Sequence, residues 1–309
     1  MGEEEPFTRA ASVEDLAGRL EAMLTPDGER MLADFVPTPS DVFIVTPPKC
    51  GTTWMQQIVH GLRSGGSMDF GNINDAVPWL GISHVDPQDA RATQEALLPH
   101  AFKSHATLDR VPQGARYIVV LRDPADALVS QYRFFAGSFL DQAHLDFETF
   151  ARGFFMPEVA VHDHVVASWP RRDDANVRIF CYESMLDDLP GTVDAIAAFL
   201  GLPVTDELRG VVVAQAQLGF MKQHESKFDD AALFESIRHR LRLPPTAALS
   251  KVAPDGVQAR QPIVSIDLRR ELDAAWRSDV IPATGLASYA HLRAAIDAQA
   301  ATAAGLTGN

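Results

Sequence analysis

Three times along this chain a short apolar run is followed at once by a turn and then by residues with helical spacing. That alternation limits the fold more than any other feature. The first unit is DVFIVTPPKCGTTWMQQIVHGL. Val42 to Val45 form the continuous apolar run expected of a parallel strand buried on both faces. Pro47 and Pro48 end it, and from Gly51 onward Met55, Ile58, Val59 and Leu62 fall on one face of a helix. The second unit is RYIVVLRDPADALVSQYRFF, with residues 117–121 as a strand. Asp123 suits a helix N-cap and Pro124 a first helical position, ahead of a stripe of Ala125, Leu128, Val129 and Tyr132. In the third, VRIFCYESMLDDLPGTVDAIAAFLGLP, residues 177–182 read as a strand. Val193, Ile196, Ala197 and Leu200 read as a helix stopped by Gly201 and Pro203. Strands alternating with helices predict an α/β domain with a central, mainly parallel sheet flanked by helices. Right-handed crossovers then place all three strand-to-helix loops on one sheet edge, where ligands bind in such folds.

With no repeat, low-complexity block or linker in its 309 residues, the chain reads as a single domain over 1–309. Residues 1–35 form an N-terminal extension in which Leu16, Leu20 and Met23 have helical spacing. No stretch approaches the ~18–20 apolar residues of a membrane span, and the acidic opening MGEEEPFTRA lacks the apolar core of a secretory signal. The only cysteines are Cys50 and Cys181. Two cysteines make no disulfide framework, so a cytoplasmic setting is expected. Against 27 Lys+Arg stand 41 Asp+Glu, a formal charge of -14. Such a surface repels nucleic acid and anionic lipid. An anionic ligand therefore needs a locally basic pocket.

The loop Thr46-Pro47-Pro48-Lys49-Cys50-Gly51-Thr52-Thr53-Trp54 offers one. A helix N-terminus presents unpaired N–H groups and the positive end of a dipole, a natural seat for phosphate or sulfate. Lys49 adds a full charge, Gly51 lets the backbone approach closely, and Thr52 and Thr53 add hydroxyl donors. The Walker pattern G-x-x-x-x-G-K-[ST] is not met, because here lysine precedes the glycine. This is a P-loop of another kind.

Pro48-Lys49-Cys50-Gly51-Thr52-Thr53-Trp54 resembles the 5′-phosphosulfate loop of the cytosolic-type sulfotransferases that use 3′-phosphoadenosine 5′-phosphosulfate (PAPS), with Cys50 where that family usually has serine. Arg122-Asp123-Pro124, with Ser130 and then Tyr132-Arg133-Phe134, is similar to the family's 3′-phosphate motif. Two helical turns separate Ser130 from the cap at Asp123, which returns it to the same helix face. Phe102-Lys103-Ser104-His105 resembles the strand end that bears the family's catalytic histidine. Weaker matches are Val77-Pro78-Trp79-Leu80, Asp163-His164-Val165, Tyr182-Glu183-Ser184-Met185 and Phe220-Met221-Lys222, in family order.

The resemblance implies a P-loop-like sulfotransferase fold and transfer of a sulfuryl group from PAPS to a hydroxyl or amine. By it, His105 is the general base, Lys49 stabilises the leaving oxygen, and Lys103 assists at the sulfuryl oxygens. Lys49, Cys50, Gly51, Thr52 and Thr53 would hold the phosphosulfate, Arg122 and Ser130 the 3′-phosphate, and Trp54 and Tyr182 the adenine. Leu218 stands where the family has an adenine-side aromatic. The usual Arg-Lys-Gly closing segment is absent; residues 245–262 form a candidate mobile lid, with Lys251 or Arg260 to supply the missing charge. A sulfuryl group carries less charge than a phosphoryl group, so no metal is expected. His162 and His164 read as core or acceptor-pocket residues rather than a metal pair.

Cys50 has two readings: a passive replacement for serine, or a thiol activated by the helix terminus and Lys49. An acceptor pocket drawn from Trp79, Phe134, Phe139, Phe154, Phe155, His162 and His164 suits a phenol, a hydrophobic alcohol, or a lipid-like or glycosidic metabolite. Two other functions stay open on the residues alone, an ATP-dependent P-loop enzyme and a non-catalytic binder of the nucleotide or of a sulfated ligand.

Overall fold

The computed structural model describes residues 7–23, 26–82, 86–94, 96–230, 233, 235, 237–244 and 262–306. Four strands, β1 (Val42–Val45), β2 (Ala101–Ser104), β3 (Arg116–Leu121) and β4 (Val177–Cys181), form one sheet in the order β2-β1-β3-β4. Every pairing is parallel. Val45 pairs with both Ser104 and Val119, and Leu121 with Cys181, so the carboxyl ends of all four strands open on one edge.

Side-chain alternation builds the layers. Phe43, Val45, Phe102, Tyr117, Val119, Leu121 and Ile179 enter one apolar cluster with residues of the helices Pro124–Ser138, Ala160–Ser168 and Ile266–Asp279. Val42, Ile44, Ala101, Ile118, Val120 and Phe180 enter a second with Met55, Ile58, Val59 and Leu62 of the helix Thr52–Arg63 and Val193, Ile196 and Ala197 of the helix Leu189–Leu200. Each Val, Leu, Ile, Phe or Met side chain among these taken fully out of water contributes about 1.5–3 kcal/mol. A one-residue slip of any strand would exchange its two faces. The register is therefore fixed by both helical layers at once.

Local signals act as the sequence requires. The Asp123 carboxylate accepts from the amides of Ala125 (2.9 Å) and Asp126 (3.3 Å), and Pro124 occupies the first turn. Gly201, at φ 68, closes the helix Leu189–Leu200.

Two expectations need correction. β4 stops at Cys181, level with the end of β3, and with no strand left to pair, Tyr182 opens a short helix, Tyr182–Asp187. The spacing of Leu16, Leu20 and Met23 spans a helix, Val13–Glu21, and the buried Met23 beyond its end; Pro26 opens a second helix, Pro26–Asp34. Of the segment 245–262, all but residue 262 lies outside the described residues, as do Lys251 and Arg260. Among the described residues no helix is long and apolar enough to cross a membrane.

Candidate active site

The four strand ends deliver the expected motifs to one edge. β1 leads into the Thr46–Gly51 loop, β2 into His105, β3 into Arg122 and β4 into Tyr182. Two loop residues take left-handed backbone, Lys49 at φ 65 and Gly51 at φ 98. Met55 is the first amide to bond back along the helix, to the Gly51 carbonyl at 2.9 Å, so the amides of Thr52, Thr53 and Trp54 are the orphan donors of its first turn. The hydroxyls of Thr46 and Thr52 bond to each other beneath the loop.

Cys50 is wholly buried, its sulfur 3.6 Å from the Pro48 carbonyl. Burial pushes its thiol up, and the opposing pull of Arg122 and Lys49 does not offset this. The activated-thiol reading is thus overturned: desolvation outweighs the neighbouring charge.

Arg122 joins the two candidate anion-binding motifs. Its Nη1 donates to the Lys49 carbonyl at 3.1 Å, and its guanidinium lies 4.4 Å from the Tyr182 ring centroid. Its Nε is buried with no hydrogen-bond partner among the described residues. Tyr182 meets Trp54 edge-on at 5.2 Å, and Trp54 Nε1 donates to the Ala216 carbonyl at 2.7 Å. Arg122 and Asp123 are steadied from behind, where Glu183 accepts the Asp123 amide at 3.1 Å and the Tyr289 hydroxyl. Ser130 is half-buried two turns along the Pro124–Ser138 helix. Leu218 is 61% exposed at the start of the helix Leu218–Gln223, two residues beyond the carbonyl that holds Trp54.

His105 Nδ1 lies 2.8 Å from the Thr46 carbonyl. A carbonyl only accepts, so Nδ1 carries the hydrogen and the basic lone pair of the neutral ring is on Nε2. The ring meets Trp79 edge-on at 4.8 Å, and Lys103 Nζ lies 4.7 Å from the same indole. Trp79 is held there by a strand-like contact: Lys103 N–H donates to the Pro78 carbonyl (2.8 Å) and Leu80 N–H to the Lys103 carbonyl (3.0 Å). Lys49 Nζ sits 4.3 Å from the Phe134 ring. The aromatic set therefore divides. Trp79 and Phe134 touch the candidate catalytic residues, while Phe139 and Phe155 are buried in the core and Phe154 stacks on Phe150.

The two histidines of the 162–164 pair part company. His162 is 1% exposed, its Nδ1 3.0 Å from Asp279 and its ring edge-on to Trp276 at 5.3 Å, which fits the core reading. Asp279 and Trp276 hold it within the helical layer. His164 Nε2–H donates to the His105 carbonyl at 3.1 Å, and burial lowers its pKa to about 4, which keeps it neutral.

Sequence reasoning missed Asp230. It is 3% exposed, and its Oδ1 lies 4.0 Å from Nζ of Lys103, which is itself 1% exposed. The run Phe228-Asp229-Asp230 reads only as an acidic pair, and no spacing rule ties it to a strand lysine so far upstream.

Comparison with known proteins bears on the family and the fold. The family model described as sulfotransferase domain matches residues 39–240. Sulfotransferase 4A1 of Mus musculus is 33% identical over 182 residues, spanning 55% of this chain and 63% of that protein's length. Sulfotransferase 2A1 of Homo sapiens is 26% identical over 201 residues, 62% of this chain and 70% of that one. Among solved structures, mouse sulfotransferase SULT7A1 complexed with PAP superposes with a TM-score of 0.58 at 20% identity, covering 83% of this chain and 90% of that one. Retinol dehydratase in complex with retinol and PAP gives 0.60 at 18% identity, covering 84% and 86%. The fold is thus that of sulfotransferases, and the family match takes in the phosphate loop, His105, Arg122, Ser130 and Tyr182: the chain belongs to the sulfotransferase domain family.

Proposed function

We propose that this protein transfers a sulfuryl group from PAPS to the hydroxyl or amine of a small apolar or aromatic acceptor and releases 3′-phosphoadenosine 5′-phosphate (PAP). The observation that carries the reading is the Arg122 hydrogen bond to the Lys49 carbonyl, which joins the phosphosulfate loop to the 3′-phosphate motif beside Tyr182. The residues suit a doubly anionic nucleotide. The buried, unpartnered Nε of Arg122 and the first-turn amides of Thr52 and Thr53 are donors, and Gly51, lacking a Cβ, lets the Tyr182 ring lie against the loop. Trp54 and Tyr182 would hold the adenine, with Leu218 as an apolar neighbour.

In the transfer step the bond from sulfur to the nucleotide oxygen breaks while a new bond forms from the acceptor atom to sulfur. His105 Nε2 takes the acceptor's proton, its tautomer set by the Thr46 carbonyl. Lys49 neutralises charge on the departing oxygen, and Lys103 faces the charge on the sulfuryl oxygens. Trp79 and Phe134 flank these groups and would present an apolar wall to the acceptor. The solved complex of retinol dehydratase with retinol and PAP shows one protein of this fold beside such a ligand.

Titration with PAP, followed by turnover of labelled PAPS across phenols, hydrophobic alcohols and amines with and without EDTA, tests the proposal. Saturable PAP binding and EDTA-insensitive product formation are expected. Absence of PAP binding, or Mg²⁺-dependent ATP turnover in its place, would refute it.

A further inference from the structure

A lysine as deeply buried as Lys103 needs an anion close by and a fixed geometry, because desolvating an isolated charge is expensive. Asp230 supplies that charge at 4.0 Å and is itself tied down. Asn74 Nδ2 donates to the same Asp230 Oδ1 at 2.8 Å, and Asn72 Nδ2 donates to the Asp229 carbonyl at 2.9 Å. Asn74 Oδ1 in turn receives Gln56 Nε2 at 3.4 Å, while Gln56 Nε2 also donates to the Val77 carbonyl at 2.8 Å. Gln56 stands one turn into the helix that begins at Thr52. A continuous polar path therefore runs from the strand lysine, through Asp230 and Asn74, to the helix that carries the phosphate loop. It passes just before Trp79, whose indole touches both Lys103 and His105.

Resting on the function proposed above, we infer that Asp230 is a positioning residue for the transfer. Its carboxylate holds the Lys103 ammonium in place against Trp79, so that the sulfuryl group meets a cation already oriented rather than one that must be ordered during the reaction. Preorganised charge of this kind acts where charge develops in the transition state and adds little to binding of a ligand that lacks the reacting group. PAP is such a ligand, since it has lost the sulfuryl group. The carboxylate should therefore matter for turnover and leave PAP affinity alone.

Asp230→Asn keeps an oxygen for Asn74 to bond and removes only the charge. Expected are a loss of about tenfold or more in kcat and PAP affinity within about twofold of wild type, with a lower melting temperature because Lys103 loses its buried counter-charge. In a Lys103→Met background the same change should cost nothing further, because the group through which it acts is gone. Asp230→Glu should restore part of the rate. An unchanged kcat in Asp230→Asn overturns the inference. So does a parallel fall in PAP affinity, which marks a structural role, and so does an undiminished effect in the Lys103→Met background. A wild-type protein that neither binds PAP nor turns over PAPS refutes the proposed function itself and takes this inference with it; PAP binding and turnover in the wild type beside an unaffected Asp230→Asn refutes the inference alone.

Discussion

Gly51→Ala is the substitution whose cost the structure defines best. Gly51 has φ 98, a left-handed backbone that costs an L-residue about 1–2 kcal/mol. A Cβ there would also stand 2.9 Å from Cδ2 and 3.3 Å from Cε2 of Tyr182, so that ring must move. The ring is backed by the Arg122 guanidinium at 4.4 Å and Trp54 at 5.2 Å, and overpacking of this sort costs about 1–3 kcal/mol more. The sum is about 2–5 kcal/mol of folding stability. Gly201→Ala separates the two effects, since Gly201 has φ 68 but nothing within 4 Å of the added Cβ. It should lose only the backbone share, about 1–2 kcal/mol. Urea unfolding of both variants measures the difference, and PAP titration reads the site. Stacking of a base on an aromatic ring contributes about 1–3 kcal/mol, so a displaced Tyr182 should weaken PAP about tenfold or more in Gly51→Ala. Gly201→Ala should bind PAP as wild type does. If the two variants lose equal stability and bind PAP equally well, the argument from Tyr182 packing is wrong.

His105→Ala should retain PAP affinity and lose about 10²–10⁴ in turnover, the usual worth of a general base; full activity in that variant would remove His105 from the mechanism. Burial lowers the pKa of both His60 and His164 from 6.5 to about 4. The unfolded chain is therefore protonated first, and stability falls as pH drops from 6.5 toward 4, by about 3 kcal/mol for each histidine. Unfolding in urea at pH 7 and pH 4.5 should show a smaller acid loss in His60→Leu than in wild type, and an equal loss would contradict the burial argument. Native protein at pH 8 should leave Cys50 unalkylated by iodoacetamide, because burial holds its thiol protonated; rapid labelling without denaturant would show that the loop opens.

What the sequence made legible is local. The run Val42–Val45, the Asp123–Pro124 start and the Gly201 stop each depend on neighbours within a few residues, and each appears where its chemistry requires. The strand ends share an edge because parallel β-α units leave no other arrangement. The charge environment was not legible. Cys50 sits at a helix terminus beside a lysine, yet its thiol follows its burial, a quantity set by the packed sheet beneath it. His164 bonds to the His105 carbonyl, and Asp230 approaches Lys103, only because distant segments meet behind the loop. His162, two residues from His164, faces Asp279 instead, a difference of direction that residue type does not encode. A β-strand reading of Tyr182 failed because the strand beside it had already ended.

Lys49 adopts φ 65, a conformation natural to glycine and awkward for a residue with a Cβ. A chain selected for durability alone would have glycine or asparagine at that point and relax by about 1–3 kcal/mol. Keeping a lysine there means the loop holds tension in its resting state, so variants recovered from a screen for heat tolerance would be expected to include replacements of Lys49 that outlast the parent and do nothing.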